Sequence, residues 1–172
     1  MLRPPVLEDF RAWADLRQES RAFLEQWEPI WQNDELTTTS FRRRIRIYRG
    51  WAASDHGHAL FVFESKTLKL VGAISLSNIR RGAEQSATLG YWIGMPFARQ
   101  GFMSEAIQLI CKHAFETMGL HRVEAACLPR NAASKGLLLK SGFVEEGYAK
   151  SYINIAGRWE DHLLFARLKT LN

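Results

Sequence analysis

Apolar positions along the chain change their period several times. From Glu8 to Trp27 they recur at helical spacing, with Phe10, Trp13, Ala14 and Leu16–Arg17 followed by Phe23, Leu24 and Trp27, which predicts one or two helices. Pro29 breaks the pattern. A further helix, capped by Thr39 or Ser40, is predicted to run to about Ala52 and to bury Phe41, Ile45 and Tyr48 at i, i+4 and i+7. After a turn at Asp55–Gly57 the pattern shortens to extended runs. Strands are predicted at Ala59–Phe63, Leu68–Leu76 and Ala87–Ile93, separated by a turn at Ser65–Thr67 and a polar loop at Asn78–Gln85. Helical spacing returns over Ser104–Met118, where Ala106, Ile107, Ile110, Cys111, Ala114, Phe115 and Met118 form the apolar stripe and Gly119 ends it. A strand at His121–Leu128, a short helix at Ala132–Ser141 closed by Gly142, and two strands at Glu146–Ile155 and Arg158–Arg167 complete the order, the last pair turning at Ala156-Gly157. Helices come first, then a mixed sheet with two helices inserted late: an α+β fold in a single domain over residues 1–172.

Composition narrows the class. With 172 residues, 47% of them apolar, the chain can build one real core. No apolar run approaches the ~18 residues of a membrane helix, and Met1-Leu2-Arg3-Pro4-Pro5 has no signal-peptide pattern. Cys111 and Cys127 have no paired spacing, so a reduced, cytoplasmic protein is expected, with no membrane partner. Lys and Arg exceed Asp and Glu by 23 − 18 = 5, and much of that excess lies in Phe41-Arg42-Arg43-Arg44-Ile45-Arg46-Ile47-Tyr48-Arg49. Two readings of that run stand: a face for a polyanion such as ribosomal RNA, or a solvated helix surface.

The chemistry concentrates in Tyr91-Trp92-Ile93-Gly94-Met95-Pro96-Phe97-Ala98-Arg99-Gln100-Gly101-Phe102-Met103-Ser104-Glu105-Ala106. A strand enters a glycine-bearing turn that opens directly into a helix. The first turn of a helix has backbone N–H groups with no internal partner, and the helix dipole adds positive potential, so this order suits a phosphorylated small molecule. The strand His121–Leu128 ends in Pro129-Arg130-Asn131, where a side-chain amide can meet an amide-rich ligand, and the next helix offers Ser134, Lys135 and Lys140. His56 and His58 flank a turn glycine without a third ligand, so no metal site is expected.

These blocks resemble the GCN5-related N-acetyltransferases, in particular the ribosomal-protein-alanine (RimJ/RimL-type) branch. The resemblance rests on Ser20–Leu24 leading to Trp27-Glu28-Pro29, Gly90-Tyr91-Trp92-Ile93-Gly94, Gln100–Ala106, Leu120-His121-Arg122-Val123, Pro129-Arg130-Asn131, Ser134, and Ser141-Gly142-Phe143 followed by Glu146-Gly147-Tyr148-Ala149. It implies a GNAT fold with a mostly antiparallel sheet and acetyl-CoA held in the splay between two central parallel strands. It further implies that backbone groups of Trp92, Ile93 and Gly94 pair with the pantetheine. The turn Arg99, Gln100, Gly101, Phe102, Met103 and Ser104 holds the pyrophosphate, Asn131 contacts the pantetheine arm, and Ser134 lies near the sulfur. Such roles agree with the residues: an extended ligand carrying amides can add to a strand edge.

The chain departs from the family at its acid–base positions. Where many relatives have a Glu base, six residues before the Asn, this chain has Ala125; where others have a Tyr acid, seven residues after it, it has Leu138. Glu124 is adjacent, but strand alternation turns it to the opposite face. Direct attack by an amine needs the neutral amine. An α-amine titrates near ~7.7–8.0 and a lysine amine near ~10.4, so a site without a strong base suits an N-terminal α-amine. Ser134 is the candidate proton donor to the leaving thiolate, and it reads equally as a helix-start residue. Glu28 is the candidate for binding the acceptor ammonium or relaying its proton, and it reads equally as a surface carboxylate. Ile93 or Gly94 N–H is the candidate oxyanion donor. The expected activity is acetyl transfer to a protein N-terminus, ribosomal or other, with association to the ribosome through the Arg42–Arg49 face. Acetylation of a small amine (a polyamine, an aminoglycoside or an amino acid) and CoA binding without turnover are the alternatives. A monomer or homodimer is expected, with a short first strand near Leu2-Arg3-Pro4.

Overall fold

A computed structural model describes residues 1–170. Strand β1 (Leu2–Arg3) precedes helices α1 (Phe10–Glu19), α2 (Arg21–Leu24) and α3 (Thr38–Ala53). Strands β2 (His58–Phe63), β3 (Leu70–Arg80) and β4 (Ser86–Ile93) follow, then α4 (Phe102–Lys112), β5 (Arg122–Cys127), α5 (Ala132–Lys140), β6 (Val144–Ile155) and β7 (Arg158–Leu168). All seven strands lie in one sheet of order β1-β2-β3-β4-β5-β7-β6. Every neighbouring pair is antiparallel except β4 and β5, the two that flank α4 in the chain. A parallel pair needs a long crossover, and α4 is that crossover.

Each strand of the first half feeds two cores because successive side chains leave opposite faces. On one face α4 covers the sheet: Ala106, Ile107, Ile110, Cys111 and Ala114 pack on Val62, Val71, Ile74, Leu76, Leu89 and Val123. On the other, α1 and α3 bring Trp13, Leu16, Phe41 and Ile45 against Phe61, Phe63 and Leu70. The Trp13 and Phe41 rings lie 4.9 Å apart, so an aromatic contact joins the two helices.

Several boundaries differ from expectation, each for a local reason. Thr37, rather than Thr39 or Ser40, caps α3: its hydroxyl accepts the Ser40 N–H at 3.2 Å, and Ser40 is itself buried. Leu68 lies in the turn with φ +56°, so β3 starts at Leu70. That strand continues through Ser77–Arg80 because pairing with β4 persists past the apolar run, interrupted by an irregularity around Asn78 (φ +49°). The expected loop Asn78–Gln85 shrinks accordingly. Helix α4 begins at Phe102, two residues before Ser104, and past Lys112 the chain continues in a wider turn, where Met118 N–H reaches back to His113 O at 3.0 Å.

Candidate functional site

The site is built where β4 and β5 stop being partners. Their ladder covers only Ser86↔Arg122 to Thr88↔Glu124. Beyond it the strands diverge, leaving one edge of β4 open from about Leu89 to Ile93. Gly94 N–H donates to Val71 O at 2.8 Å and its carbonyl accepts from Phe97 N–H at 2.9 Å. Alternation therefore directs the groups of Tyr91 and Ile93 to the open edge. Of the two expected oxyanion donors, only Ile93 is left there, because Gly94 is held by β3. A side chain at Gly94 would displace Leu16 from the core, since a Cβ would come within 2.4 Å of Leu16 Cδ1.

The chain then turns into α4 through residues with positive φ, Arg99 at +61° and Gly101 at +90°. Ala98 N–H donates to Met95 O, and the next N–H to find a backbone acceptor is that of Glu105, on Gly101 O at 3.1 Å. Among the described residues, no hydrogen bond within the chain takes up the N–H groups of residues 99–104. Six successive amide donors at the positive end of a helix fit a diphosphate. Gln100 uses its side chain to brace the turn from within, donating to Pro96 O at 2.7 Å. Phe102 packs edge-on against Phe97, and Met103 is buried beneath the turn.

Across the splay, Asn131 caps α5 by accepting the Ser134 N–H at 3.0 Å. The Ser134 hydroxyl in turn meets the Tyr91 hydroxyl at 2.7 Å, joining α5 to β4 over the gap. Burial pushes the Tyr91 hydroxyl up to about 12 and the neighbouring Cys127 thiol above its usual range, so neither ionises near neutrality. Lys140 is exposed in the last turn of α5, about 9 Å along the helix from Ser134. Ala125 and Leu138 are both buried in the core, and Glu124 is engaged by Arg80 and Arg122 on the other face.

On the face away from α4, a cleft of about 390 Å³ reaches the same stretch of β4. Its floor is β2, β3 and Gly90–Trp92; its walls are α1, the segment Glu28–Trp31, Glu35, and Arg44 and Tyr48 of α3. Arg17, 5% exposed, is its centre. The guanidinium stacks 4.2 Å from the Trp31 ring and 5.0 Å from that of Trp92. Its two terminal nitrogens donate to Glu28 at 3.1 and 2.6 Å, and Trp31 Nε1 donates to the same carboxylate at 2.7 Å. Arg44 donates to Glu35 at 2.5 Å. The cleft thus pairs two arginines with two carboxylates between aromatic walls.

Glu28 and Ser134, the two side chains expected to carry chemistry, sit on opposite sides of β4, and the open edge of that strand lies between them. Arg17, Trp31, Arg44 and Tyr91 become site residues only in the folded structure. The signal for Arg17 was a charge inside the apolar stripe of the first helix. For Tyr91 there was none, because its approach to Ser134 depends on where the β4–β5 ladder ends.

Residues 1–144 match the acetyltransferase (GNAT) domain family. The chain is 36% identical over 167 residues to the probable N-acetyltransferase YjcK of Bacillus subtilis, covering 97% of this chain and 92% of that protein. It is 32% identical over 163 residues to the Escherichia coli [ribosomal protein uS5]-alanine N-acetyltransferase, covering 94% and 84%. The structure of Mycobacterium smegmatis RimJ in complex with CoA-disulfide superposes with a TM-score of 0.91 at 32% identity, over 97% of this chain and 80% of that one. The chain belongs to the GNAT acetyltransferase family and is an N-acetyltransferase.

Proposed function

We propose that this enzyme transfers the acetyl group of acetyl-CoA directly to the N-terminal α-amine of a protein, a ribosomal protein foremost. The observation that carries this reading is the charge-balanced aromatic cleft that reaches Gly90–Trp92 from the face opposite α4. A polyamine would be recognised by a wall with net negative charge, whereas here Arg17 and Arg44 neutralise Glu28 and Glu35. A peptide N-terminus brings one positive charge and a backbone, which a balanced, half-apolar cleft accommodates. The relatives described above include an enzyme named as a ribosomal-protein-alanine N-acetyltransferase, which supports the same choice.

Acetyl-CoA supplies the acetyl group as an activated thioester. The N–H groups of Arg99, Gln100, Gly101, Phe102, Met103 and Ser104 bind its pyrophosphate, with Lys140 adding positive charge at the rim of the splay. The open edge of β4 and the Asn131 amide hold the pantetheine arm. Ile93 N–H donates to the carbonyl oxygen as charge develops on it. Ser134 donates to the departing sulfur. Glu28 has three donors on roughly four lone-pair sites, so one site remains for the acceptor's ammonium. No strong base is needed. Near pH 7 about a tenth of an α-amine is neutral, and reaching the same fraction with lysine costs about 3.3 kcal/mol more.

Two buried, unpaired thiols suit a reduced, cytoplasmic setting. On α3, Arg42, Arg46 and Arg49 form one exposed stripe at i, i+4 and i+7 on a helix without an acidic residue, which we read as a contact for ribosomal RNA. The test is acetyl-CoA-dependent thiol release with peptides beginning in Ala or Ser, the same peptides blocked at the terminus, spermidine and free lysine. The expected result is release with free termini alone. Release with spermidine or lysine and none with peptides overturns the proposal.

A further inference from the structure

The contact between Tyr91 and Ser134 links the two diverging strands at the point where the thioester is expected to lie. We infer that Tyr91 is a positioning residue for the leaving group: its hydroxyl donates to Ser134 Oγ and so turns the Ser134 proton toward the cofactor sulfur. The inference rests on the proposed role of Ser134 as donor to that sulfur.

A serine hydroxyl has one proton and two lone pairs, and it rotates to suit its neighbours. Left alone, Ser134 in the first turn of α5 would have several acceptors to choose from, because hydroxyls near helix ends turn readily to local carbonyls. Tyr91 narrows that freedom. The two oxygens are 2.7 Å apart, and one of them must donate. A phenol is a stronger acid than an alcohol, which favours the arrangement with the tyrosine proton between them and the serine proton pointing elsewhere. With its hydroxyl pushed up to about 12 by burial, Tyr91 remains a donor across the working pH range. Cys127 is also a hydrogen-bond partner of Ser134, and because burial keeps its thiol protonated it offers only a neutral sulfur, a weaker acceptor than the thiolate that develops on the cofactor. The nearest charges, Lys135 and Glu145, are paired with each other at 2.8 Å. The backbone of Ser134 is fixed as well, through the Asn131 cap. The position of this hydroxyl is therefore set by α5, and its proton direction is biased by β4.

In the transfer itself, the amine lone pair forms the C–N bond, the C–S pair departs onto sulfur, and the Ser134 O–H stabilises the thiolate. The amine proton is lost to solvent and the sulfur regains one from solvent after release. Tyr91 keeps its own proton throughout and acts only through Ser134.

The test uses CoA and requires no turnover. Whole protein saturated with CoA is titrated with base while the ultraviolet thiolate band is followed, with the CoA-free protein subtracted. The bound thiol of the unsubstituted enzyme is expected to titrate about one unit below that of free CoA, the size of shift a hydrogen bond to the charged form produces. Tyr91→Phe keeps the ring and its packing, which the thermal midpoint checks, and is expected to return the bound thiol to the free value, as is Ser134→Ala. The double variant is expected to match either single one, because the two side chains act in series. A lowered thiol in Tyr91→Phe, with the shift lost in Ser134→Ala, overturns the role of Tyr91 and leaves that of Ser134. A lowered thiol in Ser134→Ala overturns the reading of Ser134, and the inference with it. Dethio-CoA, which lacks the sulfur, is expected to bind all four proteins with affinities within about twofold; a larger loss in Tyr91→Phe assigns that residue to shaping the cleft and overturns the inference.

Discussion

At the residue scale, the acceptor cleft depends on how Arg17 is buried. A guanidinium at 5% exposure is tolerable only with its charge answered, and Glu28 answers it through both oxygens, Glu35 standing further off at 3.9 Å. Two roles are thereby combined in Glu28, pocket wall and acceptor contact, and two substitutions separate them. Glu28→Ala strands Arg17 and is expected to cost about 3 kcal/mol of folding stability, read as a lowered denaturant midpoint. Glu28→Gln keeps one oxygen to accept from Arg17 and Trp31, loses the second Arg17 bond and removes the charge, so it is expected to cost less stability than Glu28→Ala. It is expected to raise the KM for an acceptor peptide about tenfold while that for acetyl-CoA moves by less than about twofold. An unchanged peptide KM would remove Glu28 from acceptor binding. Gly72 marks a second limit of this kind: a Cβ there would lie 2.3 Å from Trp92 O, in the backbone that floors the cleft. Gly72→Ala is expected to cost about 2–3 kcal/mol, since backbone in the sheet cannot move aside cheaply, and a thermal melt reads it.

At the element scale, α3 has two unlike faces. Phe41 and Ile45 are buried as their spacing predicts, Tyr48 and Arg44 turn to the cleft, and Arg42, Arg46 and Arg49 face solvent. If the stripe meets an RNA backbone, replacing the three arginines with glutamine removes three phosphate contacts. The slope of log affinity against log salt for single-stranded RNA is then expected to flatten by about 2. Turnover of a free peptide should stay unchanged, because none of the three lines the cleft. A slope identical in the two proteins would discard the RNA reading. The turn into α4 was legible from the chain because Gly101 and the stripe Ala106–Phe115 announce a helix start. That Arg99 also takes a positive φ was not, since nothing in an arginine favours it.

At the scale of the whole molecule, the rim of the cleft is held by elements distant in sequence. Ala156 N–H, at the tip of the β6–β7 hairpin, donates to Glu28 O at 2.9 Å, and Gly157 lies against Ile30. Arg130, beside the Asn131 cap, pairs with Glu160 at 3.2 Å, donates to Gln26 O at 3.4 Å and covers the Trp27 ring at 5.6 Å. A half-exposed arginine contributes little to stability, about 0–1 kcal/mol, yet it joins the cofactor side, the hairpin and the acceptor segment. Arg130→Ala is therefore expected to leave the thermal midpoint within a few degrees and to raise the acceptor KM several-fold, with a smaller effect on acetyl-CoA. Equal rises in both constants would argue that Arg130 serves the cofactor.

The chain by itself determined the element order, the apolar stripes and the amide-rich turn before α4, because these follow from local period, glycine placement and helix-end chemistry. Its resemblance to a family carried the donor-side residues as expectations. Ala125 and Leu138 were visibly unable to supply an acid or base. The tertiary structure alone decided what stands around them. The early end of the β4–β5 ladder brings Tyr91 to Ser134, 43 residues away in the chain. The packing of α1 and α3 on one face of the sheet gathers Arg17, Glu28, Trp31 and Arg44 into one cleft. Such contacts depend on register and on which faces meet, and those are settled by burial of the whole core.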